Sequence, residues 1–538
     1  MKGPSPGRIA VAPFQALCVV LSAALAASCG GPEEPPARHV LLITLDTTRA
    51  DSLGCYGSAR NETPALDALA AEGVRFRDCT SAAATTLSSH TSLFTGTYPN
   101  RHGVVRNGFV VDESNVMLAE TLREAGFWCA AFIGSSALVE RSGLSQGFHV
   151  YDDAFDVAAE AGGPDQDQRI AATVTDAVLS HVDEVLARDG GGEQNLFLFA
   201  HYFDPHAPYA PPADISAELG ASMPVADFDD IEAAVRAQQK RVLGQDLGQQ
   251  QVITRGLPKP LAQPFPSYPT ARDSELARLY TAEVTYTDRE VGRLLVGLRS
   301  RGLLEDTLVI VTADHGETFW EHGNFWNHGL WVSQTDVHVP LLFRMPRGEA
   351  ADVEVRVPVS GVDVAPTVLD VLGLWEGDRK DPGVGRSLLP AILGREFGDR
   401  AVFTEATQPG PFLEKGVAAG EWRGAGKPHA VRLGPWKLVR APYLGLTQLF
   451  RLDRDPDENV DLLAKGAVVG EARERLTDLE IALGRWMRAA KPRPSEFDVT
   501  QVKALVGLGY GEAAPSSSRA PSSSEDGPER KDADPRDH

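Results

Sequence analysis

The sequence predicts an α/β fold, in which a large, mostly parallel sheet is flanked by helices and followed by a small antiparallel sheet with one helix. Residues 40–45, 196–200 and 308–313 are continuous apolar runs of strand length, which is typical of strands buried on both faces of a parallel sheet. Segments with helical periodicity lie between these runs, and this alternation indicates an α/β domain. After about residue 399 the predicted strands become shorter and are separated by turns, which predicts the antiparallel sheet.

The remaining elements follow from local signals along the chain. Thr63 and Pro64 suit the N-cap and the first turn of a helix, and Gly73 ends it. Ile170 and four valines at three- and four-residue spacing predict an amphipathic helix. The other predicted helices span residues 117–125, 274–299 and 471–490, and the other predicted strands span residues 127–133, 402–405, 429–433, 436–440 and 448–453.

A chain of 538 residues is too long for one small core, so we predict a large domain and a smaller one. The large α/β domain spans residues 38–399. Within it, residues 213–271 are rich in Gln, Pro and Gly and predict an insertion at the rim of the site, with one helix near residues 231–242. The other predicted ranges are a signal peptide with a probable lipobox at 1–29, a tether at 30–37, a small α+β subdomain at 400–512 and a disordered tail at 513–538.

The N-terminal segment has the three regions of a secretory signal. Lys2 and Arg8 precede an apolar run at residues 10–27, and small residues lead into Cys29. Residues 25–29 resemble a bacterial lipobox, although the branched apolar residue lies one place further from the cysteine than usual. We therefore expect an exported protein that a lipid anchors in a bacterial cell envelope, in the periplasm or at the outer membrane. Plain secretion and a retained anchor are the alternatives.

Charge and cysteine content exclude some functions. The formal net charge of −22 argues against a broad basic face, so we predict no nucleic-acid partner. An anionic small substrate is still compatible with this charge, because a bound metal ion makes a site locally positive. Beyond the signal region, Cys55, Cys79 and Cys129 allow one disulfide, and none of them has the spacing of a structural zinc site.

Polar side chains that can bind a metal follow three of the predicted strands. They are Asp46, the cluster of His201, Asp204 and His206, and the adjacent pair Asp314 and His315. Ligands of open α/β sheets bind beyond the carboxyl ends of the strands, so we expect these groups at one edge. Asp314 and His315 can both reach one divalent ion, and Gly316 lets the backbone turn tightly around it.

Residues 86–103 contain a run of serines and threonines, two histidines and an arginine. A hydroxyl nucleophile at the start of a helix has this appearance, because the unpaired N–H groups there stabilise negative charge on oxygen. A Ser/Thr-rich loop that caps an ordinary helix is the alternative interpretation of this stretch taken alone.

Five motifs that follow one another along the chain support the interpretation of residues 86–103 as part of an active site. They are residues 41–46 with 51–57, residues 86–103 with 106–108, and residues 201–208, 314–317 and 339–342. Together they resemble the sulfatase family of the alkaline phosphatase superfamily. The resemblance covers roughly residues 40–374 and implies an alkaline phosphatase-like fold and a metal-dependent hydrolase.

The resemblance implies that Asp46, Asp314 and His315 bind one divalent metal ion, with the hydroxyl of Thr86 close to it. The family often has a second acid where this chain has Thr47. Because imidazole suits softer ions, this ligand set favours manganese or zinc, with calcium as the alternative. In this respect the chain is similar to the phosphonate monoester hydrolase branch.

The resemblance also makes His206 and His328, with Arg106 or Asn107, candidates for binding the ester oxygens and protonating the leaving group. For each of these residues, a structural histidine or a solvated polar side chain is an equal alternative.

The nucleophile position departs from the sulfatase pattern. Sulfatases convert a cysteine or serine into formylglycine within a Cys/Ser-x-Pro/Ala-x-Arg motif, whereas this chain has Thr-Leu-Ser-Ser-His at residues 86–90. We therefore expect no formylglycine. Related nucleotide phosphodiesterases and phosphoethanolamine transferases use threonine, which implies a covalent mechanism on Thr86.

The leading hypothesis is an exported, metal-dependent hydrolase of sulfate esters that uses Thr86. Hydrolysis of phosphodiesters, phosphonates or phosphate monoesters is a close alternative, because water must attack a threonine ester directly. A non-catalytic binder of sulfated or phosphorylated glycans is the alternative from another class. In each case the expected partner is a small sulfated or phosphorylated molecule, such as a glycan or lipid.

Overall fold

The computed structural model describes residues 37–58, 61–155, 168–189, 193–221, 275–319, 321, 328–376, 381, 383–407, 427–442, 445–464 and 466–496. The predicted signal peptide, the C-terminal tail and the helix near residues 231–242 lie outside these residues, as does the tether up to residue 36. The domain boundaries therefore stay predictions. Within the described residues, no helix combines the length and the apolar character that crossing a membrane requires.

The strands of the described residues form three sheets. They are β1 (His39–Leu45), β2 (Val74–Phe76), β3 (Cys79–Thr80), β4 (Trp128–Phe132), β5 (Val150–Asp152), β6 (Leu196–Tyr202), β7 (Thr307–Thr312), β8 (His338–Val339), β9 (Leu341–Arg344), β10 (Val353–Val355), β11 (Val359–Ser360), β12 (Val402–Glu405), β13 (His429–Leu433), β14 (Trp436–Ala441) and β15 (Leu446–Arg451). The large sheet has the order β10-β2-β9-β7-β1-β6-β4-β5, and β9 alone runs antiparallel to its neighbours. The predicted large, mostly parallel sheet is confirmed.

The helices of the described chain fall between these strands. They are α1 (Pro64–Ala71), α2 (Thr86–Thr95), α3 (Pro99–His102), α4 (Leu118–Glu124), α5 (Ala171–Asp189), α6 (Ala213–Glu218), α7 (Glu275–Ser300), α8 (Gln334–Val337), α9 (Val364–Val371), α10 (Leu389–Ile392) and α11 (Glu471–Arg488).

Strand β1 lies at the centre of the large sheet and has helices on both of its faces. Its side chains alternate, so that Val40 and Leu42 enter one apolar core while Leu41 and Ile43 enter another. The first core contains side chains from α2, α4 and α9, and the second contains side chains from α1, α5 and α7. Every residue of β1 is buried, which explains why this strand is a continuous apolar run in the sequence.

The C-terminal part forms the predicted small antiparallel sheet, in the order β12-β13-β14-β15. Helix α11 covers it, and Leu479, Leu483 and Trp486 pack against Val431 and Leu438. Strands β12 and β13 match the predicted ranges, whereas β15 begins and ends two residues before its predicted range. A third sheet, with the order β11-β3-β8, was not predicted, because its strands have only two residues each.

Two local expectations differ from the structure. Thr63 occupies the N-cap position of α1, but its side chain makes no capping hydrogen bond to the helix backbone. Its hydroxyl instead donates to Asp67 and accepts the N–H of Gly54, because these partners compete for the same oxygen. The disulfide that the cysteine count allowed is not formed, since Cys55, Cys79 and Cys129 are free thiols.

The contribution of the second core is testable with two matched substitutions. Val178 of α5 is fully buried, whereas Val296 of α7 is 62% exposed. Val178→Ala should lower the free energy of unfolding by about 1.5–3 kcal/mol, because it removes two buried methyl groups and leaves a cavity. Val296→Ala removes the same atoms from a helix surface and should change it by less than about 0.5 kcal/mol. Guanidinium unfolding measures both values; equal midpoints for the two variants would contradict the assigned core.

Candidate active site

Three neighbouring strands end at one edge of the large sheet and carry the metal-capable residues there. Strand β1 pairs in parallel with β6 on one side and β7 on the other. Asp46 follows β1, Asp314 lies two residues after β7, and His201 lies near the end of β6. The parallel register therefore brings these three side chains to the same edge, as the sequence predicted.

Asp46, Asp314 and His315 form a compact, fully buried cluster. One potential ligand atom from each residue lies within 4.8 Å of the other two. The Nε2 atom of His315 is 3.3 Å from Oδ2 of Asp314 and 4.0 Å from Oδ1 of Asp46. Neither of these two oxygens has a hydrogen-bond partner among the described residues. Buried, unpartnered carboxylate oxygens are costly, and a divalent cation at this position would satisfy them.

The other polar atom of each side chain is already occupied, which fixes the orientation of the cluster. Oδ1 of Asp314 accepts the N–H groups of Thr47 and His315, at 3.2 and 2.8 Å. Nε2 of His201 lies 3.2 Å from Oδ2 of Asp46. Nδ1 of His315 donates to the carbonyl of Gly316 at 2.9 Å, so Nε2 presents its lone pair to the carboxylates. The donor set therefore fits a divalent metal ion.

The electrostatics of the cluster agree with this fit. Burial raises the pKa of Asp46 to about 7, against the opposing influence of His315. Burial and the neighbouring Asp46 raise the pKa of Asp314. Burial lowers the pKa of His315, but Asp314 and Asp46 outweigh it and raise this pKa. Two carboxylates in one dry site repel each other, so a positive charge between them would stabilise both.

Thr86 is the first residue of α2, so its hydroxyl lies at the start of a helix. Its Oγ1 lies 3.5 Å from Nε2 of His315, so the hydroxyl contacts the cluster. Leu87, Leu93 and Phe94 anchor the helix in the first core, and Gly96 ends it in the left-handed conformation. Thr86 is therefore held rigidly, with its hydroxyl at the positive end of the helix dipole.

Residues that the sequence did not single out hold α2 against Asp314. The hydroxyls of Ser89 and Ser81 both donate to the carbonyl of Asp314, and the Ser89 bond measures 2.6 Å. His90 donates through Nδ1 to the carbonyl of Thr86 and accepts through Nε2 from the hydroxyl of Thr44 on β1. The only sequence signal for Ser89 and His90 was their residue type within the stretch 86–103. Their partners Asp314 and Thr44 are distant from them in the chain.

Asn107 and Arg106 lie beside the start of α2. The Oδ1 atom of Asn107 accepts the N–H of Leu87 at 2.8 Å. Its Nδ2 atom is buried and has no partner in the described part of the chain. Nε of Arg106 donates to the carbonyl of Asn107 at 3.3 Å, and burial lowers the pKa of Arg106 to about 10. Arg106 therefore remains a cation at neutral pH next to a buried amide donor.

His206 and His328 lie next to each other over the cluster. Their ring centroids are 5.2 Å apart, and the ring of His328 lies 4.5 Å from that of His315. Nδ1 of His328 is 3.1 Å from Oε2 of Glu317, a buried carboxyl group to which the sequence reasoning gave no role. Burial raises the pKa of Glu317 to about 8 and lowers that of His328 well below its ordinary value, so the pair holds one proton at neutral pH.

Two further residues of the sequence motifs have structural contacts. Thr47 has a φ of +50°, and its hydroxyl donates to the carbonyl of Pro205, so it contributes no ligand atom where the family often has an acid. Asp204 does not join His201 and His206 at the cluster. Asp204 interacts instead with the N–H of Ala171 and lies near Glu283.

Comparisons with known proteins agree with this architecture. Residues 38–374 match the family model described as Sulfatase. The N-acetylglucosamine-6-O-sulfatase of Bacteroides thetaiotaomicron is 23% identical over 414 residues, which cover 66% of this chain and 72% of that protein. The multifunctional alkaline phosphatase superfamily protein PehA of Trinickia caryophylli is 26% identical over 438 residues, which cover 69% and 82%.

The fold is also that of a solved structure, the phosphonate monoester hydrolase of Agrobacterium radiobacter. The TM-score is 0.61 at 23% identity, and the match covers 84% of this chain and 95% of that one. Because the family model spans more than half of the sequence, the assignment does not depend on any single motif. The chain belongs to the sulfatase family of ester hydrolases, within the alkaline phosphatase superfamily.

Proposed function

We propose that this protein is a metal-dependent hydrolase of sulfate esters in which Thr86 is the nucleophile. One observation carries the proposal: the Thr86 hydroxyl lies 3.5 Å from His315, within a buried cluster whose two carboxylates each present an unpartnered oxygen. The sulfatase relatives support the choice of sulfate, and the N-acetylglucosamine-6-O-sulfatase among them makes a sulfated glycan a reasonable substrate.

Asp46, Asp314 and His315 would hold the ion, with manganese or zinc favoured by the imidazole and calcium as the alternative. A divalent ion bound there supplies positive charge that lowers the pKa of a nearby hydroxyl and balances the charge of the ester oxygens. Thr47 and His201 hold the two carboxylates in place, Thr47 through its N–H to Asp314 and His201 through its contact with Asp46.

The chain's own residues account for the covalent steps. The hydroxyl of Thr86 gives its proton to water as its oxygen bonds to sulfur, and the bond from sulfur to the alcohol oxygen breaks. The alcohol oxygen takes a proton through His328 from the carboxyl group of Glu317. Water then attacks the sulfur of the Thr86 ester and returns one proton to the pair of His328 and Glu317. The bond from sulfur to the Thr86 oxygen breaks, sulfate leaves, and the Thr86 oxygen takes the second proton of the water. The N-terminus of α2 stabilises negative charge on the Thr86 oxygen in both steps.

Binding of the ester oxygens is assigned to Asn107 and Arg106. Asn107 uses Oδ1 for the Leu87 N–H, which leaves its buried Nδ2 as a donor beside the nucleophile. Arg106 contributes a permanent cation. The carboxylates of Asp46 and Asp314 balance the charge of a divalent ion, so Arg106 supplies the net positive charge that faces the ester. This balance favours an ester group with a single negative charge, as in sulfate monoesters, phosphodiesters and phosphonate monoesters.

Phosphodiester or phosphonate hydrolysis is the second candidate function. A formylglycine hydrate can expel sulfate by collapsing to an aldehyde, whereas a threonine ester needs attack by water. Thr86 therefore suits phosphoryl transfer as well as sulfuryl transfer. Export and a lipid anchor at Cys29 remain part of the proposal, on the sequence of the N-terminal segment alone.

The role of Thr86 is tested by Thr86→Val, with Thr91→Val as its matched control. Thr91 is buried in the same helix, and its hydroxyl donates only within the helix, to the carbonyl of Leu87. Thr86→Val should lower kcat on 4-nitrophenyl sulfate or bis(4-nitrophenyl) phosphate by about 10³-fold or more, whereas Thr91→Val should retain most activity. Turnover by Thr86→Val at the wild-type rate would rule out the nucleophile. A wild type that binds sulfated glycans without any turnover would favour the binding role.

The metal site is tested by comparing Asp46→Asn with Asp204→Asn. Both acids follow a strand of the same sheet edge, but Asp204 lies away from the cluster. Elemental analysis of protein loaded separately with manganese, zinc and calcium should find the ion in the wild type and in Asp204→Asn and little in Asp46→Asn. Chelation should abolish turnover and the preferred ion should restore it. Equal metal content in the two variants would place the ion elsewhere.

The preference for single negative charge is tested with aryl esters at pH 8. We expect kcat/KM to be higher for 4-nitrophenyl sulfate, bis(4-nitrophenyl) phosphate or 4-nitrophenyl phenylphosphonate than for the dianionic 4-nitrophenyl phosphate, because Arg106 supplies the net positive charge once Asp46 and Asp314 balance the ion. Arg106→Met should lower kcat/KM for the preferred ester by roughly 10–100-fold. A preference for the dianion would contradict the assignment.

A further inference from the structure

The small C-terminal sheet bonds directly to the segment that carries Thr86. The N–H of Glu405, the last residue of β12, donates to the carbonyl of Ala82 at 3.1 Å. The carbonyl of Glu405 accepts the N–H of Ala84 at 3.3 Å, two residues before Thr86. Strand β12 thus continues as a parallel bridge to the approach of the nucleophile.

Thr407, two residues after β12, is hydrogen-bonded to Gly329, the residue next to His328. The N–H and the hydroxyl of Thr407 both donate to the carbonyl of Gly329, at 2.6 and 2.7 Å. Gly329 has a φ of +86°, and a Cβ at this position would lie 3.0 Å from the methyl group of Thr85. Gly329 is therefore fixed between Thr407 on one side and the residue before Thr86 on the other.

Lys437 and Glu458 form a second set of contacts with the chain that follows His328, at residues 332–334. Nζ of Lys437, on β14, donates to the carbonyl of Val332 at 2.6 Å and is 2.7 Å from Oε1 of Glu458. Oε2 of Glu458 accepts the N–H of Gln334 at 2.7 Å. Lys437 and Glu458 are 2% and 3% exposed. A buried ion pair adds little stability of its own. The relevant effect of this pair is that it fixes the backbone at Val332 and Gln334.

Side chains between the contact of Thr407 and the contacts of Lys437 and Glu458 are buried in an apolar cluster. Trp331 and Val332 share one core cluster with Ala84, and Ala430 and Val439 of the small sheet belong to the same cluster. Hydrogen bonds to the backbone of residues 329–334 therefore come from Thr407 at one end and from the side chains of Lys437 and Glu458 at the other, with side-chain burial in between.

We propose that the small C-terminal sheet positions His328 relative to Thr86, with Thr407 and Lys437 as the positioning residues. The inference rests on the proposed function, in which His328 protonates the leaving alcohol. His328 precedes Gly329 directly, so a shift of this segment moves the imidazole away from the ester while Thr86 and the metal ligands stay in place. The reaction should then depend more steeply on the quality of the leaving group.

The test compares Thr407→Val with Thr404→Val, and Thr407→Ser serves as rescue. Thr404 lies on β12, and its buried hydroxyl has no hydrogen-bond partner in the described ranges. Thr407→Val should lower kcat about tenfold on phenyl sulfate, a poor leaving group, and less than about threefold on 4-nitrophenyl sulfate. Thr404→Val should match the wild type on both esters, and Thr407→Ser should restore activity. For phosphodiesters, methyl phenyl phosphate and methyl 4-nitrophenyl phosphate form the equivalent pair.

A second measurement does not depend on turnover. Amide hydrogen exchange of peptides covering residues 328–337 should become faster in Thr407→Val, and also in the double variant Lys437→Met with Glu458→Gln, but not in Thr404→Val. The double variant removes both charges, so neither is left buried alone.

The outcomes separate the two proposals. If the wild type cleaves none of these esters, the proposed function fails, while faster exchange in Thr407→Val still supports the positioning of the segment. If the wild type is active and Thr407→Val lowers both members of an ester pair equally, the residue has only a structural role and the inference is overturned. Unchanged exchange at residues 328–337 would overturn it regardless of activity.

Discussion

The burial of two carboxylates beside each other is the constraint on which this site depends. Asp46 and Asp314 are both fully buried at the end of adjacent parallel strands, where like charges cannot coexist without compensation. The surroundings supply part of that compensation through the N–H groups that bind Asp314 and through His201 at Asp46. These contacts leave one oxygen of each carboxylate facing His315. A cation held between these two oxygens would compensate the remaining repulsion.

Much of this could be predicted from the sequence, since it depends on local patterns. Fully buried strands are apolar throughout, so β1, β6 and β7 were recognisable, and the polar residues that follow them had to meet at one edge. The order of strands across the sheet and the two-residue strands β3, β8 and β11 left no such pattern. Their pairing depends on contacts between distant parts of the chain, and two residues are too few to show a periodicity.

The site shows the same division between local and distant information. Metal-capable residues could be found by their type and position, but the partners that orient them could not. Glu317 illustrates this limit: it lies in a recognised motif, yet its contact with His328 depends on the return of the chain after β7. Thr63 shows how a local pattern can also fail. Its N-cap position could be recognised from the sequence, but its hydroxyl bonds to Asp67 and to Gly54 in a preceding turn and not to the helix backbone.

The bridge between β12 and the residues before Thr86 also has a consequence for how the protein matures. Thr86 is synthesised early, whereas Glu405 and Thr407 emerge only when translation is well advanced. During synthesis the N-terminal elements are able to fold first, but residues 329–334 lack their contacts with Thr407 and Lys437 until β12 to β14 are present. Thr86 and the neighbouring His328 therefore reach their final relative positions late. A nascent or truncated chain would contain every residue of the site and still lack an assembled one.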